Sequence, residues 1–417
     1  MNSTITTWLI GIAIFIAGGA LVVWFFFFAG VPTATPNNQG NNNLGVGNTQ
    51  TTGVSSNNTT DETNQVSPIT SQSSSQKVFK IANGPVTGAA FVQTLFPTTT
   101  YARYVLQENG HVMDQALDVS GSLPRAVSNT TIPGTAQAVW SKSGGVLYLQ
   151  YLDDTTIKSV SLTFPQATSS KSVTKPVEIQ FLPDNVQAIA VSPNGLQIAY
   201  LLKGSAGSDG YVANIDGSNS KKLFSIGFSE LLLSWPSPNT LLLTTKPAAG
   251  VSGMVFSVDT KAGGIVPLIY AAGVTAMATP TFSYILYQSD IPGEAAPMSY
   301  SHNNKNNEDI LLSFNPIPEK CVASSIASST VYCATPQTYF NTSYLDNWHK
   351  GAASLSDMIV SFTFDQLPNN DVVAEPGSAD GGVASDILLM AVSPDEKYLL
   401  FVKKGDRSLW GVRLGQN

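Results

Sequence analysis

Residues Val191 to Phe224 read VSPNGLQIAYLLKGSAGSDGYVANIDGSNSKKLF, four short strands and the turns between them. Ser192-Pro-Asn-Gly195 is a tight turn: Pro193 presets φ, and Gly195 takes a positive φ without steric cost. Leu196 to Leu202 is the second strand and Gly204 to Gly210 a loop. Tyr211 to Ile215 is the third strand, turned by Asp216-Gly217, a strong hairpin signal. Lys221 to Ile226 is the fourth. Four short antiparallel strands with no helix bury neither face alone, so the unit has to stack on copies of itself.

The copies are present. The first hairpin recurs at Ala138 to Leu152, Leu231 to Thr245, Ala276 to Asp290, Cys321 to Thr335 and Met390 to Lys404. With Ser141, Ser192, Pro236, Pro280, Ser324 and Ser393 opening the turns, the spacings are 51, 44, 44, 44 and 69 residues. A period of that length matches a four-stranded propeller blade. The pattern predicts an all-β, seven-bladed β-propeller over residues 77–417, with Gly84 to Thr131 as a divergent first blade. Six blades is the alternative, if that segment is not a full blade. The last repeat supplies three strands, ending with Ser408 to Leu414, while Val78 to Ala82 at the start has no blade of its own. Its setting, KVFKIAN, is similar to KKLFSIG at 221–227. Val78 to Ala82 is therefore expected to complete the last blade and close the ring, which removes an exposed sheet edge.

The 69-residue spacing contains an insertion in the sixth blade, Pro336 to Gly351 (PQTYFNTSYLDNWHKG), with room for a short helix. Excursions of this kind often carry a binding surface. Tyr339, Tyr344, Trp348 and His349 form the expected exposed group for a partner. A lid packed over a blade edge is the other reading.

The first 60 residues contain no Asp, Glu, Lys or Arg, and Trp8 to Phe28 is a 21-residue apolar run. That length matches the ~20 residues needed to cross a bilayer core. Residues 1–7 are then a short tail, 8–30 an uncleaved transmembrane signal-anchor, and 31–76 an Asn/Thr/Ser-rich flexible tether. A cleaved signal peptide is the alternative. Against it stand the length of the run, the missing basic segment before it and the lack of a clean cleavage site. A short tail before the anchor favours a single-pass membrane protein with its propeller on the extracytoplasmic side.

Cys321 and Cys333 are the only cysteines, and they flank the Ser324 to Ser329 turn on adjacent strands. Opposed positions of an antiparallel pair lie within disulfide range, and an extracytoplasmic setting is oxidising, so a disulfide is expected. Two buried free thiols are the alternative. His111, His302 and His349 lie in separate repeats, without metal-ligand spacing. No nucleophile elbow, P-loop or dinucleotide fingerprint occurs. The carboxylate pairs Asp153-Asp154 and Glu308-Asp309 read as solvated turns. The net charge of −7 excludes a nucleic-acid footprint. No enzymatic activity, cofactor or metal is expected.

Ser192 to Tyr200 (SPNGLQIAY) and Ser393 to Phe401 (SPDEKYLLF) resemble the TolB-type, WD-like propeller repeat, with Glu396 in place of its usual glycine. The chain is also similar to uncharacterised membrane-anchored propellers of candidate-phyla (Patescibacteria-type) bacteria. That similarity rests on GPVTGAA from Gly84, Arg103-Tyr-Val, Gly110-His-Val, the cysteine hairpin and DNWHKG from Asp346. The TolB repeat implies a fold and, by analogy, a docking body for a protein or envelope polymer. A carbohydrate-binding or hydrolytic site at the central channel, and a subunit of a surface filament or layer, are the alternatives.

Overall fold

The turn between the first and second strands of a repeat needs a group to hold its backbone, and in four of the repeats a buried hydroxyl supplies it. The computed structural model describes residues 76–415, apart from 96–97, 129, 166–176, 292–293, 295, 339–343 and 378–383. In the Val191 to Phe224 unit, Ser192 Oγ accepts from the backbone N–H of Gln197 at 2.9 Å, and Gly195 takes φ 70°. The same bond recurs from Val146 N to Ser141 Oγ, Tyr284 N to Thr279 Oγ1 and Tyr398 N to Ser393 Oγ. The hydroxyl is thus the repeating element. In the fifth blade the turn opens at Thr279 rather than Pro280, and Pro236 lies within a strand, Leu231–Ser237.

Among the described residues the strands form seven four-stranded antiparallel sheets. Blade 1 runs from β2 (Val86–Leu95) to β5 (Arg125–Ser128), and blade 2 from β6 (Thr135–Trp140) to β9 (Glu178–Phe181). Blade 3 spans β10 (Ala188–Val191) to β13 (Lys221–Ile226). Blade 4 spans β14 (Leu231–Ser237) to β17 (Ile265–Ala272), and blade 5 β18 (Thr275–Ala278) to β21 (Glu308–Leu311). Blade 6 contains β22 (Cys321–Ala323), β23 (Thr330–Pro336), β24 (Asp357–Thr363) and β25 (Asp371–Ala374). Blade 7 has β26 (Ile387–Val392), β27 (Tyr398–Lys403) and β28 (Leu409–Arg413), and its outer strand is β1 (Val78–Ala82). The blade count is seven, and the predicted closure is present: Val78 pairs with Val412, Phe79 with Gly411 and Lys80 with Trp410. Gly411 is required there, because a Cβ at that position would lie 2.6 Å from the Phe79 ring.

The core is distributed around the ring. Each of the seven pairs of adjacent blades has its own buried apolar cluster, including blades 7 and 1, where Phe79, Ile81 and Leu409 meet Val86, Phe91 and Tyr104. Each blade therefore gains its stability from its two neighbours. The anchor and tether expected at residues 1–76 lie outside the described residues, save Gln76. Among those described, no helix is long and apolar enough to cross a membrane.

Cys321 and Cys333 are directly opposed on β22 and β23, with Cα atoms 4.1 Å apart, and are disulfide-bonded. The bond closes a short loop, a constraint contributing on the order of 2–3 kcal/mol.

Glu396, standing where the repeat has glycine, keeps a glycine-like φ of 51°. Its carboxylate crosses to blade 6, accepting from Ser324 Oγ, Ser325 N at 2.7 Å, Ile326 N at 3.1 Å and Tyr332 Oη at 3.0 Å. Burial opposes its ionisation, but these hydrogen bonds outweigh it and hold the carboxyl below its usual range. Burial and the same carboxylate push the Tyr332 phenol up to about 12. A carboxyl with a depressed folded pKa stabilises above its unfolded value of about 4.3, and that contribution is lost as pH falls through the folded value. Replacing Glu396 with Gly relieves the backbone strain, worth about 1 kcal/mol. It also removes four charge-assisted bonds worth about 1.5–3 kcal/mol each in isolation. We expect Glu396→Gly to destabilise by about 2 kcal/mol near neutral pH, with the difference from wild type shrinking as the pH drops below about 4. Urea denaturation across that range measures both effects.

Candidate functional site

Two places gather features outside the repeat pattern: the insertion in blade 6 and the central channel. The insertion forms α1 (Tyr344–His349), a helix of under two turns. Tyr344, Leu345 and Trp348 share one face of it and pack with Ile317 and Leu355 in a buried cluster, against which Leu388 of β26 also rests. Tyr344 is 2% exposed and Trp348 3% exposed, which corrects the expectation of an exposed aromatic group. The reason is polar as well as apolar. Trp348 Nε1 donates to both oxygens of Asp386, at 2.8 and 3.0 Å, and Tyr344 Oη donates to Gln288 Oε1 at 2.8 Å. The expectation for Tyr339 falls outside the described residues. His349 keeps part of its ring exposed, 3.3 Å from Glu319 Oε1.

Beneath Trp348 lies a charge network that sequence reading does not find. Lys320 Nζ donates to Asp357 Oδ2 at 2.8 Å and to Asp386 Oδ1 at 2.7 Å. All three side chains are excluded from solvent. The backbone N–H groups of Ile387 and Leu355 add one bond to each carboxylate, while Asp357 Oδ1 is buried with no hydrogen-bond partner among the described residues. Lys404 donates to the carbonyls of Trp348 and Ala353. Two ammonium groups sit over the Trp348 ring, Lys320 at 4.7 Å and Lys404 at 4.5 Å from its centroid. Burial pushes the Asp357 carboxyl up, opposed by the Lys320 ammonium. Asp346 adds a tie to blade 4, accepting from Ala249 N at 2.9 Å. The insertion is bolted across blades 4 to 7 as a cap, which is the lid reading of the sequence.

The inner strands enclose a cavity of about 630 Å³ at the axis. Its wall is largely aliphatic, including Ala136, Val139, Val322, Leu389 and Met390. The charged residues lining it are Lys142, in the first turn of blade 2, and Arg407, in the connection between β27 and β28. His302 and Asp309 pair at 2.9 Å on neighbouring outer strands of blade 5, away from this lining. Asp153 and Asp154 sit in a solvated hairpin turn, as expected. Among the described residues no group of three or more His, Cys, Asp or Glu side chains is placed to hold a metal ion.

On the outside, strands β17 and β21 of adjacent blades present apolar side chains to solvent. On β17 Tyr270 is 71% exposed and Val266 is exposed as well; on β21 Leu311 is 51% exposed, with Ile310 next in sequence, and on β9 Ile179 and Phe181 are exposed too. Nothing in the repeat pattern of the sequence marks these positions.

Seven stacked sheets, the last completed by β1, leave one architecture. The fold is that of a TolB-like, WD-like β-propeller. Solved structures similar to this propeller include an oligogalacturonate lyase in complex with manganese, 11% identical, with a TM-score of 0.52 over 82% of this chain and 91% of that one. The WD40 domain of Neurospora crassa Pan2 is 10% identical, with a TM-score of 0.48 over 82% and 98%. TolB from Acinetobacter baumannii is 9% identical, with a TM-score of 0.41 over 79% and 64%. Identities this low speak for the fold alone. No family model and no curated protein matches the chain.

Proposed function

We propose that this propeller is a non-catalytic docking body. It is held at the membrane by the apolar segment at residues 8–30 and works on the extracytoplasmic side, where it binds an envelope protein or polymer. The observation that carries the reading is the exposed apolar pair of outer strands, β17 and β21. An outermost strand offers unpaired backbone groups to an added strand, and exposed Val266 and Tyr270 on β17 and Ile310 and Leu311 on β21 flank two such edges. The disulfide agrees with an oxidising compartment. The axial lining, mainly aliphatic, lacks the convergent carboxylates or imidazoles that hydrolysis requires. The docking surface is therefore assigned to the outer strands, with His349 as the part-exposed member of the insertion.

A photo-crosslinking residue at position 270 or 311 of the full-length protein, in intact cells, is expected to trap one discrete adduct. The same residue at position 349 should trap less. Leu311→Asp in the position-270 variant should abolish the adduct without changing the unfolding temperature. An adduct that survives Leu311→Asp, or no adduct from either outer strand, removes this surface from consideration.

A further inference from the structure

The central cavity contains a cation that the fold leaves unused. Arg407 lines it, and its backbone carbonyl accepts from Val86 N at 2.9 Å, which fixes the loop against blade 1. Its Nε is buried with no acceptor. Burial holds the guanidinium below its usual range. Arg103 shows what a buried arginine has when its role is structural. Its Nε and Nη2 grip Asp114 at 2.7 and 2.9 Å, and its Nη1 donates to the Gly144 carbonyl at 3.0 Å. Buried charges are paired as a rule. Among the described residues none brings an acceptor to the Arg407 side chain.

The backbone adds a second observation. Arg407 has φ 57°, in the left-handed region. Asp154, Asn185, Asn219 and Asn307 also occupy that region, and short polar side chains suit it. The bulky residues there are Phe282, Glu396 and Arg407. Phe282 packs into the core between blades 4 and 5, and Glu396 makes the cross-blade bonds described above. Arg407 closes the β27–β28 turn, its N–H donating to the Lys403 carbonyl at 2.9 Å, the place that Gly110, Gly263 and Asn307 take in other blades. Yet its long side chain makes no contact of the kind that Phe282 and Glu396 make. A costly backbone conformation that presents an unpaired charge to a cavity points to a ligand.

The wall limits what that ligand is. No carboxylate lines the cavity, and Lys142 is its other charged residue, in a chain of net charge −7. An anion is favoured. A single carboxylate matches a single guanidinium fork. Ala136, Val139, Leu389 and Met390 suit an aliphatic stem, and the uncharged polar groups of the wall are Thr87, Gln137, Ser141, Ser324, Ser325 and the unpaired Trp140 Nε1. A volume of about 630 Å³ is ordinary for a small-molecule site. We infer that the propeller channel binds an aliphatic monocarboxylate, its head on Arg407 and its stem along the inner strands. This site stands or falls independently of docking on the outer strands.

The test is calorimetric titration of the full-length protein, in nanodiscs of zwitterionic lipid, with octanoate. Empty nanodiscs correct for partitioning. Saturable binding of one octanoate is expected, with none for octylammonium. Arg407→Gln should weaken it by about ten- to a hundredfold. Ala136→Trp, which fills the channel and leaves Arg407 in place, should abolish it. The inference is overturned if octanoate does not bind saturably, or if Arg407→Gln binds it as tightly as wild type. It is also overturned if gluconate, inorganic phosphate or a peptide with a free C-terminus binds through Arg407 in place of octanoate. Should Arg407→Gln fail to fold, Ala136→Trp decides: undiminished affinity in that variant puts the ligand elsewhere and ends the proposal.

Discussion

A chain lacking Val78–Ala82 is expected to aggregate on purification instead of running as a monomer. The strand places Phe79, Ile81 and Ala82 in the core between blades 7 and 1, and Val78 in the core between blades 6 and 7. Losing three large buried apolar side chains at about 1.5–3 kcal/mol each removes on the order of 5–9 kcal/mol. That is comparable to the whole stability of an ordinary domain. Deletion also bares β28, whose Leu409, Trp410 and Val412 would then flank an open edge ready to pair with another chain. Size-exclusion chromatography with light scattering gives the result directly. A peptide covering residues 77–83, added in trans, should recover monomer by refilling the edge. A truncated chain that stays monomeric and melts at the wild-type temperature would show that the ring does not depend on its closing strand.

Lys320→Met is expected to cost about 3–5 kcal/mol, because it strands Asp357 and Asp386 in the interior without their shared counter-ion. Asp386 retains Trp348, Leu355 and the more distant Lys404, 3.9 Å away, so Asp357 is the less supported of the two. The double variant Lys320→Met/Asp357→Leu should therefore be milder than Lys320→Met alone, since removing both members of a buried pair leaves less uncompensated charge. Urea denaturation followed by tryptophan emission would measure both variants. If Lys320→Met costs less than 1 kcal/mol, about the worth of an exposed ion pair, the network does not hold the cap.

Much of this architecture is legible in the chain, because blades are local. A hairpin whose turn is set within six residues, as from Ser192 to Gln197, writes itself into consecutive sequence. Even there the prolines mislead: at Pro236 and Pro280 the conspicuous residue is not the one that holds the turn. Closure by β1 was readable too, since a strand without a blade and a blade without a strand lie at opposite ends. The insertion was not. Tyr344, Leu345 and Trp348 share a helix face, but the surrounding Asn, Thr and Ser make the segment look solvated. The groups that pull it inward, Lys320, Asp357 and Asp386, are far apart in the chain, with 66 positions separating Lys320 from Asp386. Arg407 is hidden for a similar reason. In KKGDRS it resembles any charged surface turn, and only the assembled ring shows that it borders the axis.

The partner of Val78 is Val412, 334 positions further along the chain. The earliest strand of the propeller to be synthesised is thus the one that must wait longest for its mate. Until the final hairpin emerges, six blades and a stray ribbon coexist, and local order in each blade cannot hasten the last step. Such distant pairing makes completion slow relative to formation of the individual blades. The interval before it is when this protein is most exposed to proteases and to its own neighbours.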